Sequence, residues 1–443
     1  MSAHRRQRSL SVVTMVNVAL KRPASLALLI GVMASPVGAA PAGDTFMTSS
    51  AYAVASRSIT ANFDQMLSDV VTLTQIPAPP FGEAKRAAAF ETSLKAVGLS
   101  DVEIDTEGNV TGLREGHGGK GHGGKGLLVV AAHLDTVFPA NTDVTVRKDG
   151  NRLSAPGVSD DTASLAVLLT LVRALDAAHI ATRDDVLFVG DVGEEGPGDL
   201  RGMKYLFKKG KYAGRITQFI SIEQGSDGAI TLGGTGSRRY ELTFSGPGGH
   251  SYEDFGMVNP AVAMAGTIMK MLAANTPASP KTTWNFGVFS GGTSVNTIPS
   301  SVTVAVDLRS EDAGELDRLD QYLRASVDAA VKEENARHST AAGTAAATFK
   351  LIGERPTGRT DEASSLIRIT SGVFTRAGAH VRYEIHSTDA NIAMSLGIPA
   401  MTIGNGIDAF ERHSPGEYLI VDKDLNTKMI AADLAVIVEA ANR

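Results

Sequence analysis

The chain has 443 residues, 43% of them hydrophobic, with no cysteine and 42 Lys+Arg against 48 Asp+Glu, a formal net charge of −6. That length holds two or three domains, and the apolar content excludes a disordered chain. Without cysteine there is no disulfide framework, thiolate zinc finger, iron–sulfur cluster or cysteine nucleophile, so any metal site must be built from His, Asp and Glu.

The first 40 residues carry Arg5, Arg6, Arg8, Lys21 and Arg22, no acid, a short apolar stretch at 25–33, Pro36, and small residues ending at Ala39 and Ala40. A basic start, a short apolar core and a small-residue end read as a secretory signal peptide, which predicts a secreted or periplasmic protein. An uncleaved anchor is the alternative, because a second apolar run covers 11–20. After leader cleavage no stable membrane insertion is expected. Removing so basic a segment makes the remainder more acidic still, which argues against nucleic acid as a partner.

From about residue 55 the pattern alternates helix and strand. Amphipathic spacing predicts helices over 59–73 and 83–97. Residues 126–132 are a continuous apolar run, as in a strand buried on both faces. A helix over 163–178 follows, then buried strands at 186–189 and 219–222. This rhythm predicts an α/β fold, a mainly parallel sheet with helices on both faces.

Between 237 and 355 the order changes to strand 240–245, helix 260–274, strands 284–290 and 301–308, helix 311–334 and strand 345–352. That β-α-β-β-α-β sequence is ferredoxin-like. After Pro356 the α/β rhythm returns: helix 362–377, strand 381–385, helix 391–396, strand 400–403 and helix 426–441. The organisation read from this is a leader (1–40), a first part of the α/β domain (41–236), an inserted α+β domain (237–355), and the second part of the α/β domain (356–443). The low-complexity repeat GHGGKGHGGKG at 116–126 reads as a flexible connection rather than a metal tract, because so many glycines make a binding geometry entropically costly.

Open α/β sheets place their sites beyond strand ends, and five places there carry His or acid. His133-Leu134-Asp135 follows the first buried strand, and i and i+2 share a side in extended chain. Asp135 is therefore expected to accept from one ring nitrogen of His133 while the other binds metal. In Ser159-Asp160-Asp161, Asp161 reads as a helix cap and Asp160 as free to bind or bridge a cation. Glu194 and Glu195 stand between glycines after the strand at 186–189. A cation would relieve their repulsion and divide them into ligand and general base. Glu223 ends the strand at 219–222, and His413 follows the strand at 400–403. Together these are the ligands of two zinc-like ions with a bridging carboxylate. His386 and Asp389 read as structural, His179, His338 and His380 as solvated, and Trp284 as core or interface.

The motifs HLDTV (133–137), VSDDTASLA (158–166), GEEG (193–196), GPGGHS (246–251), GGTSVNTIP (291–299), DLR (307–309) and RHSPGE (412–417) occur in this order. On these the chain strongly resembles the M20 family of dinuclear metallopeptidases and amidohydrolases, over nearly its whole length after the leader. The resemblance implies that His133 binds one metal with Asp135 orienting it. It implies that Asp160 bridges, Glu194 is the general base, Glu195 is a ligand, Glu223 completes the first site and His413 the second. It gives His250, on the inserted domain, the developing oxyanion, often that of the partner protomer. It gives Asn296 and Arg309 the substrate's polar end, commonly a carboxylate. Many relatives carry Lys in place of Thr162. The position of Glu223 is Asp in several aminopeptidase-type relatives and Glu in several carboxypeptidase and deacylase types.

The expected activity is metal-dependent hydrolysis of an amide bond in a small peptide. The alternative is N-acyl amino-acid deacylation by the same chemistry. The cofactors would be two divalent ions, zinc by preference, with cobalt or manganese also compatible with His and carboxylate ligands. The inserted domain is expected to act as a lid and as the contact of a homodimer. A non-catalytic peptide-binding protein on this fold would lack Glu194 or a ligand, and all are present. No G-x-S-x-G elbow stands before a helix with a matching triad, so a serine hydrolase is not indicated.

Overall fold

A computed structural model describes residues 46–117 and 126–442. The leader at 1–40 and most of the repeat at 116–126 lie outside the described residues. Among those described, no helix is long and apolar enough to cross a membrane.

The chain folds as α/β around a nine-stranded sheet. Its path runs Ser100–Ile104, Val110–Arg114, Asp185–Asp191, Leu127–His133, Ile216–Glu223, Ala400–Gly404, Ala229–Gly234 and Gly358–Arg359, with Arg382–His386 also beside Ala229–Gly234. The four strands from Asp185–Asp191 to Ala400–Gly404 run parallel, and antiparallel pairs flank them on both sides. The reason is visible in Leu127–His133, which is buried at every position. Leu128, Val130 and Ala132 point into one core with the helices Ser50–Ala61, Phe63–Thr74, Ala84–Ala96, Thr162–Ala177, Ser365–Arg376 and Lys423–Ala440. Leu127, Val129 and Ala131 point into the other core, under Arg201–Lys208 and Ala390–Ser395. Two apolar faces alternating with period 2 demand a layer on each side.

The segment from Gly236 to Arg355 builds a second sheet, ordered Thr282–Gly291, Ser301–Ser310, Gly236–Ser245, Ala346–Arg355 and antiparallel throughout. The helices Pro260–Met271 and Ala313–Arg337 close a third core on it through Ala263, Met271, Leu316, Leu319, Leu323 and Val327. This is the ferredoxin-like order. A small four-stranded sheet, Asp408–Phe410, Tyr418–Ile420, Arg152–Ser154 and Arg147–Asp149, joins the C-terminal part of the chain to the loop before Thr162–Ala177.

One predicted helix differs. The span 59–73 is the junction of two helices, Ser50–Ala61 and Phe63–Thr74, meeting at Asn62. The Asn62 amide donates to Ser58 O at 2.8 Å, a local bond that competes with the helical ladder.

Candidate metal centre

Four parallel strands end on one side at His133, Asp191, Glu223 and Gly404, and the candidate site lies beyond those ends. A cavity of about 720 Å³ opens there, lined by residues that include His133, Asp160, Glu194, Glu195, Glu223 and His413. A second cavity of about 520 Å³ adjoins it and shares Glu223, His386 and Arg412.

His133 is almost fully buried and held at both nitrogens. Nε2 stands 3.0 Å from Asp160 Oδ1, and Nδ1 is 3.0 Å from the backbone carbonyl of Asp135. The expected bond from the Asp135 carboxylate is not made, since that group is 3.7 Å from Nδ1. It instead accepts the backbone N–H groups of Glu194 and Glu195 at 3.0 and 2.9 Å. The carbonyl therefore fixes the imidazole, and the carboxylate fixes the turn that presents the two glutamates. Gly193 enters that turn at φ +72°, where a Cβ would lie 2.7 Å from Arg201, so glycine is required.

Asp160 lies between the two imidazoles, with Oδ2 3.1 Å from His413 Nε2, and Glu195 Oε1 is 2.9 Å from the same nitrogen. Asp161 occupies the helix N-cap position, but its side chain makes no cap bond there. It accepts the His133 N–H at 3.1 Å instead, because the imidazole segment lies within its reach.

Among the described residues, two sets of ligand atoms converge within 4.8 Å, His133 with Glu194 and Glu195, and Asp160 with Glu195 and His413. Glu223 belongs to neither set and stands on the cavity wall. His250 and Asn296 are not among the lining residues. His250 pairs with Thr297 on the short ladder of Gly249–His250 with Thr297–Ile298, and Asn296 is the residue before Thr297, its carbonyl accepting the Ser251 N–H at 3.0 Å; both His250 and Asn296 are exposed. Arg309 does line the cavity, held by Asp307 at 2.7 Å.

Charge shows what the cluster attracts. Burial pushes the Asp135 carboxyl up to about 7, against the pull of His133. Burial likewise raises Glu195, with Glu194 and Asp160 adding to it, and lifts Glu223 well above the carboxylate range. For His133 burial would lower the pKa, but Asp161, Asp160 and Asp135 outweigh it. His413 is held up to about 10, first by its bond to Asp160 and then by Glu195. Crowded buried carboxylates with two imidazoles want positive charge, and nitrogen and oxygen donors of this kind suit zinc, cobalt or manganese. The residues present fit a pair of divalent ions.

Sequence reasoning missed three arginines. Arg355, the residue before Pro356, bonds Glu194 Oε1 from Nη1 at 3.0 Å and also bonds the Glu194 carbonyl. Arg239 shares Asp307 with Arg309 and bonds Gly196 O at 3.2 Å. Arg86, 1% exposed, donates to Leu134 O at 2.7 Å and to Ile76 O at 2.7 Å. It anchors the His133–Asp135 segment from an otherwise amphipathic helix.

Residues 129–432 match the family model described as peptidase family M20/M25/M40. Carboxypeptidase G2 of Pseudomonas sp. strain RS-16 is 24% identical over 241 residues, 52% of this chain and 56% of that protein, so the match spans just over half that relative's length. The structure resembles that of aminopeptidase PepT from Bacillus cereus, with TM-score 0.68 and 20% identity over 86% of this chain and 99% of that one. It also resembles YXEP of Bacillus subtilis, described as a dinuclear metal-binding peptidase of the M20 family, with TM-score 0.61 and 17% identity over 86% and 99%.

Proposed function

The chain belongs to peptidase family M20/M25/M40, a family of metal-dependent hydrolases, and from that premise we propose that it cleaves an amide bond in small peptides. The observation that carries this reading is the convergence of buried His133, Asp160, Glu194 and Glu195 with the half-exposed His413, Glu194 being held in addition by Arg355. His133, Asp160, Glu195, Glu223 and His413 would hold two divalent ions, zinc by preference. When bound, the ions supply Lewis-acid polarisation of the scissile carbonyl and a water of lowered pKa.

The chain's own groups then divide the work. Glu194, fixed by Arg355, takes a proton from the attacking water and returns it to the leaving nitrogen. Arg309 and Arg239, both braced by Asp307, present guanidinium groups to a substrate carboxylate, whose planar fork they match. His250 Nδ1 accepts the N–H groups of Tyr252 and Glu253, each at 3.3 Å. That leaves the ring proton on Nε2 as a donor. The Asn296 oxygen takes the Ser294 hydroxyl at 2.6 Å, which leaves its amide N–H₂ free to donate.

Both residues are exposed and neither lines this chain's own cavity, which supports a homodimer in which the partner subunit's His250 and the partner subunit's Asn296 complete the site. The inserted domain has exposed apolar surface for such a contact, with Val288 64%, Phe289 54% and Met269 65% exposed. Export through the leader at 1–40 belongs to the same reading. Glu223, rather than Asp, favours carboxypeptidase or deacylase chemistry over an aminopeptidase, so N-acyl amino acids are the second substrate class.

The test combines metal content and hydrolysis. The purified protein is expected to hold about two ions per chain. Cleavage of dipeptides, tripeptides or N-acyl amino acids should stop on chelation and return with zinc or cobalt. The best substrate then chooses between peptidase and deacylase. A chain that binds no metal would make the ligand assignment wrong.

A further inference from the structure

Glu417 lies four residues beyond His413 and is fully buried, with 0% exposure. It ends the turn that begins at Ser414, closed by Glu417 N–H to Ser414 O at 3.1 Å. From there its side chain crosses to the loop before helix Thr162–Ala177. Oε1 accepts the Ser159 N–H at 2.8 Å, the Ser159 hydroxyl at 2.7 Å and the Asp160 N–H at 3.1 Å. Oε2 accepts the Gly157 N–H at 3.0 Å. The Glu417 carbonyl accepts the Ala155 N–H at 3.1 Å. Three of the four side-chain partners are backbone N–H groups, which donate and never accept, so the loop demands an acceptor-only group with two oxygens.

The placement carries the argument. A residue that merely stabilised the loop could bond any part of it. Glu417 bonds the N–H of Asp160 itself and both donors of Ser159, from a turn continuous with His413. The loop closes tightly at its start. Gly157 sits at φ +76°, where a Cβ would lie 2.6 Å from Thr136. The strands on either side, Arg152–Ser154 and Tyr418–Ile420, pair with each other. His413 holds a left-handed backbone, φ +58°, which a non-glycine residue keeps only when its surroundings fix it. Asp160 and His413, two members of one convergent set, are therefore mounted on a single clamped unit.

We propose that Glu417 is a positioning residue of the metal centre, holding Asp160 and His413 at coordinating separation before an ion arrives. This rests on the metal-dependent reading above. Groups that hold ligands in place typically govern metal affinity by 10–100-fold when altered.

The decisive variant is Glu417→Gln, which keeps size and one oxygen but turns an amide N–H₂ toward the Gly157 N–H. Ser159→Ala removes one donor only and serves if the first variant fails to fold. Metal affinity is read by competition with a chromogenic chelator, and the fold by the melting temperature of the metal-free protein. The expected result is a roughly 10–100-fold weaker metal affinity in Glu417→Gln with the metal-free melting temperature kept. Ser159→Ala should lose less, in the same direction, and activity should return at raised metal concentration. Unchanged affinity in both variants, or a loss matched by a fall in metal-free stability, would overturn the proposal. The wild-type protein separates the two levels: if it holds two ions and the variants match it, only the role of Glu417 fails. If it holds none, the metal-dependent reading fails with it.

Discussion

Glu194 and Glu195 are neighbours in sequence, and their surroundings differ. Glu195 faces His413 at 2.9 Å, whereas Glu194 is paired with the Arg355 guanidinium at 3.0 Å. Glu194 also lies in the first convergent set, but the guanidinium fixes where its carboxylate stands, and position is the first requirement of a proton carrier. Glu194→Gln keeps the shape and an oxygen for Arg355. It should lower kcat by at least about 10²-fold, the usual contribution of a general base, while both ions stay bound. The check is turnover measured beside metal content on the same preparation, and wild-type turnover would sink the assignment. At this scale the convergence of the cluster was legible in the sequence. His133, Asp160, Glu194, Glu195 and His413 each sit in a short motif beyond a strand. Arg355, Arg86 and the reach of Glu417 were not legible, because each acts on a residue far along the chain. The role of Asp135 was read on the right residue but the wrong atoms: two backbone N–H groups from the GEEG turn outcompete the imidazole for its carboxylate.

Whole elements were read best where burial imposes a strict period. The run at 126–132 is apolar at every position because both faces of Leu127–His133 are covered. The strands Ser100–Ile104 and Val110–Arg114 escaped, the first being partly exposed and carrying little apolar alternation. Ala229–Gly234 escaped because it ends in two glycines, which read as a turn. The last helix, Lys423–Ala440, hides a cost that its pattern does not announce. Asp433 is 1% exposed, and neither of its carboxyl oxygens has a hydrogen-bond partner among the described residues. Burial raises its pKa well above the ordinary value. The native state thus keeps a proton that the unfolded chain releases near pH 4, so stability falls as pH rises from there toward the raised native value. Asp433→Asn has no such proton to lose. It should match the wild type near pH 4 and exceed it at pH 8 by roughly 1 kcal/mol or more, the worth of one pKa unit. Thermal melts at the two pH values check this, and an equal effect at both would mean that Asp433 titrates normally.

At the scale of the molecule, the interruption of one sheet by another was legible because the order of elements changes at about 237 and reverts after Pro356. What the interruption is for depends on surfaces that no local pattern reveals. His250 and Asn296 leave free donors on the inserted domain yet stay off the walls of their own cavity. If a second copy receives them, each site takes Glu194 from one subunit and His250 from the other. Glu194→Gln and His250→Ala are then each inactive alone. A mixed dimer of the two carries one site with both defects and one site with neither. Random exchange makes half the dimers mixed, each with one intact site of two, so the mixture should regain roughly a quarter of the wild-type rate. The measurement is turnover after the two variants are mixed and given time to exchange subunits, with sedimentation confirming dimers. If His250 instead serves its own chain, or the protein is an active monomer, the mixture stays as inactive as its parts. Recovery in the mixture tests the dimer and the donor at once, since neither alone restores a working site.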